Sequence, residues 1–430
     1  MDPANLRLIL VADAPSALLE VCGVTLLDRL LRQAQRVGLR EALILSATPE
    51  AIRGEIARPS WPRGNVAVEV EARAPGPITV EELSRNMGDA RPAIVVRGDI
   101  YCDIRLLRAL AAQTNESVVL DSAPGATVAS SATQTQSPSF GPAHLTKTFL
   151  QTRLPNELLS DALEGAVAAG TIQAIDAALF PRYIPDIRRD VRPFCLGVSP
   201  DSRPEIEAIV LNSAQKGTLD LPAYVHGPIE TFIISYLCRT NVSPNEMTIA
   251  AFLFGALGTV CFATGHFVIG LVIALIFGVL DGLDGKLARV KIETTPKGEL
   301  EHALDLVLEY SWWIAIGWGL RRTGLLPSAL FFAGLLVGGE ILGQIARGHA
   351  RRLTGHLLDD FTPFDRFFRR IAGRRNIYVW LLVIIGCWSG AANAYRTIAI
   401  WSAASGTVHL VRAVLIHLKN KPASAPVESA

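Results

Sequence analysis

Short apolar runs alternate with amphipathic stretches over the first 215 residues, and from Met247 onward long apolar runs take over. In the first half the runs predict strands at Leu6–Ala12, Glu41–Ala47, Val66–Ala72, Ala93–Arg97 and Ser117–Asp121. The intervening 3.6-residue pattern predicts helices at Thr25–Val37, Pro49–Ala57, Thr79–Asn86 and Ile104–Thr114. Strands that alternate with helices build a mostly parallel sheet. Residues 124–144, rich in Ser, Thr, Gln, Pro and Gly, read as a surface loop. Glu157–Ala169, Thr171–Phe180 and Glu205–Ala214 read as further helices of the same domain.

The second half reads as membrane. An amphipathic segment, Ile229–Cys238, suits the bilayer interface. Ser243-Pro-Asn supplies capping chemistry just ahead of the first long apolar run. Six spans are expected, near Met247–Thr264, Phe267–Leu287, Gly298–Leu320, Leu325–Ala346, Ile377–Gly390 and Ala394–Leu418. Arginines 347, 351, 352, 366, 369, 370, 374 and 375 fill one loop. Arg289, Lys291 and Lys297 follow span two, and Lys419 and Lys421 follow span six. Basic loops stay inside, so both termini and the first half are expected in the cytoplasm of a cell whose inner membrane holds the spans. The domain boundaries are then 1–215, a juxtamembrane linker at 216–242, a membrane domain at 243–420 and a disordered tail at 421–430.

Composition adds two exclusions. With 41 basic and 40 acidic residues the net charge is +1, which leaves no basic excess for a nucleic-acid partner. The six cysteines are scattered without a C-x-x-C pair, so neither a zinc site nor a disulfide framework is read.

Candidate chemistry lies where the second span ends. Asp281-Gly-Leu-Asp284-Gly285-Lys-Leu-Ala288-Arg289 places two carboxylates three residues apart on one helix face. Glu301, Asp305 and Glu309, spaced by four, make an acidic stripe on span three. A carboxylate at membrane depth costs about 2.5–3.5 kcal/mol on insertion scales. Clustered carboxylates therefore imply a neutralising cation, and oxygen-only donors suit hard Mg²⁺ or Mn²⁺. Two such helices can hold a pair of ions that polarise a phosphoryl group. Gly285 lets a phosphate approach the backbone, and Arg289 can pair with one.

These residues resemble the CDP-alcohol phosphotransferase family, whose signature is D-x-x-D-G-x-x-A-R, eight residues, then G-x-x-x-D-x-x-x-D. Asp281, Asp284, Gly285, Ala288, Arg289 and Gly298 match with the gap intact. The last two acids do not fall in register: His302 and Leu306 stand there. A shift of one residue brings Glu301 and Asp305 into those places, with Glu309 as a further acid. The unshifted alternative makes His302 a ligand and leaves no base. The resemblance implies transfer of a phosphoalcohol from a CDP-alcohol to an acceptor hydroxyl, with CMP released, in a homodimeric all-α membrane domain of six helices. It implies that Asp281, Asp284, Glu301 and Asp305 hold two Mg²⁺ or Mn²⁺ ions and that Asp305 is the base. Gly285, Ala288, Arg289 and Gly298 would line the CDP site. Arg374-Arg375 resembles a segment that holds the acceptor phosphate in inositol-phosphate-using members.

The first half resembles sugar-nucleotide-type nucleotidyltransferases of Rossmann-like α/β fold. Leu8-Ile-Leu-Val-Ala12 and Cys22-Gly-Val-Thr-Leu-Leu match their opening, and Arg97-Gly98-Asp99 their Mg²⁺-binding segment. The pair of domains resembles the bifunctional inositol-1-phosphate cytidylyltransferase / di-inositol-phosphate phosphate synthase arrangement. However, Ala12-Asp-Ala-Pro-Ser-Ala-Leu lacks the glycines and basic residues that wrap a triphosphate, so this domain is expected to be degenerate. Two other readings stay open: a membrane protein that binds a CDP-alcohol without turnover, and a bifunctional enzyme that also makes its own donor.

Overall fold

The computed structural model describes residues 5–88, 91–123, 139–217, 220–293 and 298–420; the side chains of 139, 140, 298–303 and 420 are outside the description. The chain divides into two compact units. One is Met1–Gly217 with Ser235–Asn241 and Leu287–Thr294; the other is Thr218–Ile234, Val242–Lys286 and Thr295–Ala430.

The first unit is built on a sheet of seven strands among the described residues. They are Arg7–Val11 (β1), Glu41–Ser46 (β2), Ala67–Ala72 (β3), Ala93–Arg97 (β4), Ser117–Asp121 (β5), Ser139–Leu145 (β6) and Gln173–Asp176 (β7). Their spatial order is β7-β5-β6-β4-β1-β2-β3. All neighbours run parallel except β6, which is antiparallel to both β4 and β5. Side chains alternate between faces along a strand. Leu8 and Leu10 of β1 therefore join the core beneath the helix Leu26–Val37, while Ile9 joins the core on the opposite face with Leu83 and Leu163. Thr25 caps the helix Leu26–Val37 by accepting from the Asp28 amide, and Gly38, at φ 102°, closes it in the left-handed region.

Two expectations are corrected here. Thr171–Phe180 is not a helix: Gln173–Asp176 is an edge strand, because its backbone completes the ladder beside β5. The expected loop over 124–144 lies outside the described residues up to 138, but from Ser139 the chain is a strand inside the sheet. Its Gly141-Pro142 was a loop signal in sequence. The ladder accommodates it by a register shift between Val118 and Leu120, since proline has no amide to give.

The second unit is helical: Ala223–Leu237 (α1), Pro244–Ala263 (α2), Phe267–Lys291 (α3), Gly298–Arg322 (α4), Ala329–Thr354 (α5), Pro363–Arg369 (α6), Arg375–Ser389 (α7) and Ala391–Asn420 (α8). Four of these, α2, α3, α5 and α8, are long and apolar enough to cross a membrane. The amphipathic helix α1 begins six residues earlier than its sequence pattern suggested. α2 opens with a capping box in which Ser243 and Glu246 satisfy each other's amides, and Pro244 takes the first turn.

Aromatic side chains fill the middle of the bundle. Trp312 and Trp313 of α4 are fully buried, with Trp312 donating to the Gly255 carbonyl at 2.9 Å and Tyr395 donating to the Trp313 carbonyl at 2.7 Å. Trp318, also on α4, is exposed. α5 and α8 approach backbone to backbone, because Gly339 lies against Ser402 and Ala403. Ser402 donates to the Leu336 carbonyl at 2.7 Å across that contact.

Candidate active site

The signature carboxylates come from the end of α3 and the start of α4. Arg375, the first residue of α7, meets them: its guanidinium donates to Asp281 and stands 4.0 Å from Asp305. The same guanidinium lies over the Phe277 ring, 4.8 Å from its centre, one turn before Asp281. Glu309, one turn beyond Asp305, lies in the electrostatic field of Arg375, Asp281 and Asp305. Asp284 is buried and accepts from the Thr248 hydroxyl of α2 at 2.7 Å. Three helices thus position the carboxylates, and a fourth brings a guanidinium into them.

The structure therefore gathers Asp281 and Asp305 around Arg375 and holds Asp284 one turn on. Gly285 and Ala288 follow on the same helix, and Gly298 opens α4. The side chains of Glu301 and His302 lie outside the described residues, so the choice between the two registers is not made there. Arg289 falls in the part of α3 grouped with the first unit, where its Nε donates to the Ala214 carbonyl at 2.7 Å. In that unit Arg29 and Arg32 also cap the end of α3, donating to the Val290 and Lys291 carbonyls at 2.8 and 2.7 Å.

Arg374 and Arg375, consecutive in sequence, separate in space. Arg374 donates to Asp359 at 2.6 Å, and Arg369 reaches the same carboxylate oxygen at 3.2 Å. His409 stands 3.8 Å from the other oxygen and 3.4 Å from Arg347. Glu340 and Arg412 have partners of their own. Glu340 accepts from Tyr378 at 2.6 Å, and Arg412 holds Asp365 with two contacts of 2.7 Å. Asp365 lies outside the spans. Burial pushes its carboxyl up, but the Arg412 and Thr362 hydrogen bonds outweigh that and hold it below the ordinary carboxylate value.

Several residues at the site carried no sequence signal. Thr248 sits in an apolar run, and His226 and Glu230 sit in a helix that read as merely amphipathic. His226 accepts from the Trp380 indole at 3.3 Å through Nε2. An indole only donates, so the imidazole carries its proton on Nδ1. Burial lowers the His226 pKa below its ordinary value, with Arg375 adding to the effect and Asp220 and Asp281 opposing it.

Do these residues suit a metal? The donors are hard oxygens from two facing helices, the kind Mg²⁺ or Mn²⁺ takes. Arg375 faces Asp281, Asp305 and Glu309 together. Among the described residues no three carboxylates close on one point, and the side chains of Glu301 and His302 lie outside the description. The donor set fits in kind.

In the first unit the expected nucleotide loop is closed by its own side chains. Asp13 accepts from the Ala47 amide at 2.6 Å and from Arg73 at 3.3 Å. Gly98 packs directly against Ala12 and Ala17. Asp99 is held by Arg97 through contacts of 3.0 and 2.6 Å.

Comparison with known proteins places the second half of the chain in a family. Residues 241–409 match the model of the CDP-alcohol phosphatidyltransferase family. The second half of the chain is a CDP-alcohol phosphatidyltransferase domain. A bifunctional IPC transferase and DIPP synthase from Thermococcus kodakarensis is 24% identical over 199 residues, covering 45% of this chain and 44% of that one. The chain thus spans less than half the length of that relative. A phosphatidylinositol phosphate synthase from Corynebacterium glutamicum is 25% identical over 195 residues, covering 44% of this chain and 84% of that one. Among solved structures, a UDP-glucose pyrophosphorylase from Acinetobacter baumanii is similar over 48% of this chain and 92% of its own, at 10% identity and a TM-score of 0.35.

Proposed function

We propose that the protein transfers a phosphoalcohol, of phosphatidyl type, from a CDP-alcohol to an acceptor hydroxyl and releases CMP. The observation that carries this reading is the convergence of Asp281 and Asp305 on one point, in a domain that matches the family. Asp281, Asp284, Glu301 and Asp305 would hold two Mg²⁺ or Mn²⁺ ions, which when bound would neutralise phosphate charge and stabilise the departing oxygen. Asp305 accepts the proton of the acceptor hydroxyl as its oxygen bonds to the β-phosphorus. The phosphoanhydride bond breaks, and CMP leaves with the electron pair. Gly285 and Gly298 would give the diphosphate room. Arg375 is already at the carboxylates. It would meet the phosphate of an acceptor, while Arg374 stays with Asp359.

An apolar groove of about 550 Å³, lined by Leu221, Val225, Ile377, Trp380, Ile400 and Trp401 among others, supports a lipid donor. Its walls are mostly apolar, with Thr397 the one hydroxyl among the lining residues, which suits acyl chains better than a free polyol. The reading includes six spans, α2, α3, α4, α5, α7 and α8, in an inner membrane, with the site and both termini in the cytoplasm and a homodimeric assembly. The closed loop at Asp13 and Gly98 supports a first unit that no longer makes nucleotide sugars or CDP-alcohols. CMP release from CDP-diacylglycerol and from CDP-inositol, across a panel of acceptors with Mn²⁺, tests the reading and chooses the donor. Release from neither contradicts it.

A further inference from the structure

α1 has two faces. Val225, Ile229, Phe232 and Tyr236, at helical spacing, are exposed, while His226, Glu230 and Ile234 turn the other way. The inner face is keyed to glycines of α3. A Cβ on Gly278 would lie 3.0 Å from the His226 ring, and one on Gly282 would fall within the Glu230 carboxylate, 2.6 Å from its carbon and 3.1 Å from one oxygen. The step from 226 to 230 equals the step from 278 to 282, so the two helices are locked in register. One residue further, the Lys286 ammonium donates to the Thr231 hydroxyl at 2.5 Å.

Gly278, Gly282 and Gly285 follow one another at four and three residues, and so share a face of α3. Glu230 therefore places a carboxylate on the face that also holds Gly285, one turn from Asp281 and Asp284. A carboxylate only accepts hydrogen bonds. The ligand groups that could meet it next to a bound diphosphate are hydroxyls, which donate. The group of a CDP-alcohol joined directly to the diphosphate on the nucleoside side is the ribose, whose two hydroxyls are donors. A carboxylate on a ribose hydroxyl is also how dinucleotide-binding folds recognise their ligands.

We propose that Glu230 is a specificity residue that accepts hydrogen bonds from the ribose hydroxyls of the donor nucleotide. The proposal rests on the CDP-binding reading of the domain. α1 is then one wall of the site as well as an interfacial helix, and the glycine at 282 exists to seat Glu230.

Equilibrium binding to the detergent-purified full chain with Mn²⁺ tests this, using cytidine 5′-diphosphate and its 2′,3′-dideoxy analogue. A hydrogen bond to a charged group corresponds to about 10- to 100-fold in affinity, so the wild type should prefer the ribonucleotide by that factor. Glu230→Met, which keeps the bulk but loses the acceptor, should bring the preference within about threefold, and Glu230→Gln should retain part of it. A merely structural role would weaken both ligands equally in Glu230→Met, and that result overturns the proposal, as does an unchanged preference. Absence of any cytidine diphosphate binding by the wild type overturns the CDP-binding reading and the proposal together. Binding with ribose preference but without CMP release from CDP-alcohols overturns the transfer reading alone and leaves the ribose contact standing.

Discussion

Thr248 illustrates what single residues contribute here. Its hydroxyl is the described side-chain donor to Asp284, and a donor behind a metal ligand orients it. Thr248→Val should leave the fold intact and weaken Mn²⁺ about 10- to 100-fold, read as the Mn²⁺ concentration for half-maximal activity. An unchanged requirement would remove Asp284 from the metal set. His226 makes a pH prediction. Its folded pKa lies below the ordinary 6.5, so below that pH the unfolded chain binds more protons. Its contribution is complete above about pH 6.5 and is lost as pH falls through the folded value. The melting temperature should drop more between pH 7.5 and 5.5 in the wild type than in His226→Gln; parallel slopes would contradict this. The acids of the site were legible in sequence because carboxylates at membrane depth are costly and so conspicuous. Thr248, His226, Glu230 and Asp359 were not, because a lone polar residue near an apolar run is ordinary and gains meaning only from what folding brings against it.

At the level of elements, glycines decide how closely helices approach. A Cβ on Gly339 would stand 2.5 Å from the Ser402 carbonyl carbon and 2.6 Å from the Ala403 amide, while Gly338 beside it has nothing within 4 Å. Gly339→Ala must push α5 from α8 and should destabilise by about 1–3 kcal/mol. Gly338→Ala should stabilise by about 0.5–1 kcal/mol through helix propensity. Thermal unfolding in detergent should therefore move in opposite directions for two adjacent glycines, and a shared direction would refute the close approach. The same scale explains where sequence patterns failed. The helices of the second unit were legible from long apolar runs. β6 was hidden by Gly141-Pro142, which signals a loop unless a neighbouring ladder absorbs it with a register shift. Gln173–Asp176 was too short to show a period of two.

For the whole molecule, the division of labour is the issue. In the first unit Asp13 and Asp99 are committed to neighbouring groups and Gly98 to alanines. The full chain given CTP and a sugar or inositol phosphate should release no pyrophosphate above background. Sustained release would make the protein bifunctional. Hydropathy marked where the long apolar helices begin, but not that Ser235–Asn241 and Leu287–Thr294 group with the first unit. The expectation that the first unit is inert came from missing glycines, and the structure adds which groups Asp13, Gly98 and Asp99 meet.

The central claim is metal-dependent transfer from a CDP-alcohol at the carboxylates of α3 and α4. Its most direct test is CMP release from membranes carrying the protein, with Mn²⁺ and a matched donor and acceptor, against Asp305→Asn. The account predicts release that stops on chelation and falls about 10²- to 10⁴-fold in the variant. Release that persists undiminished in Asp305→Asn, or that ignores the metal, would contradict it.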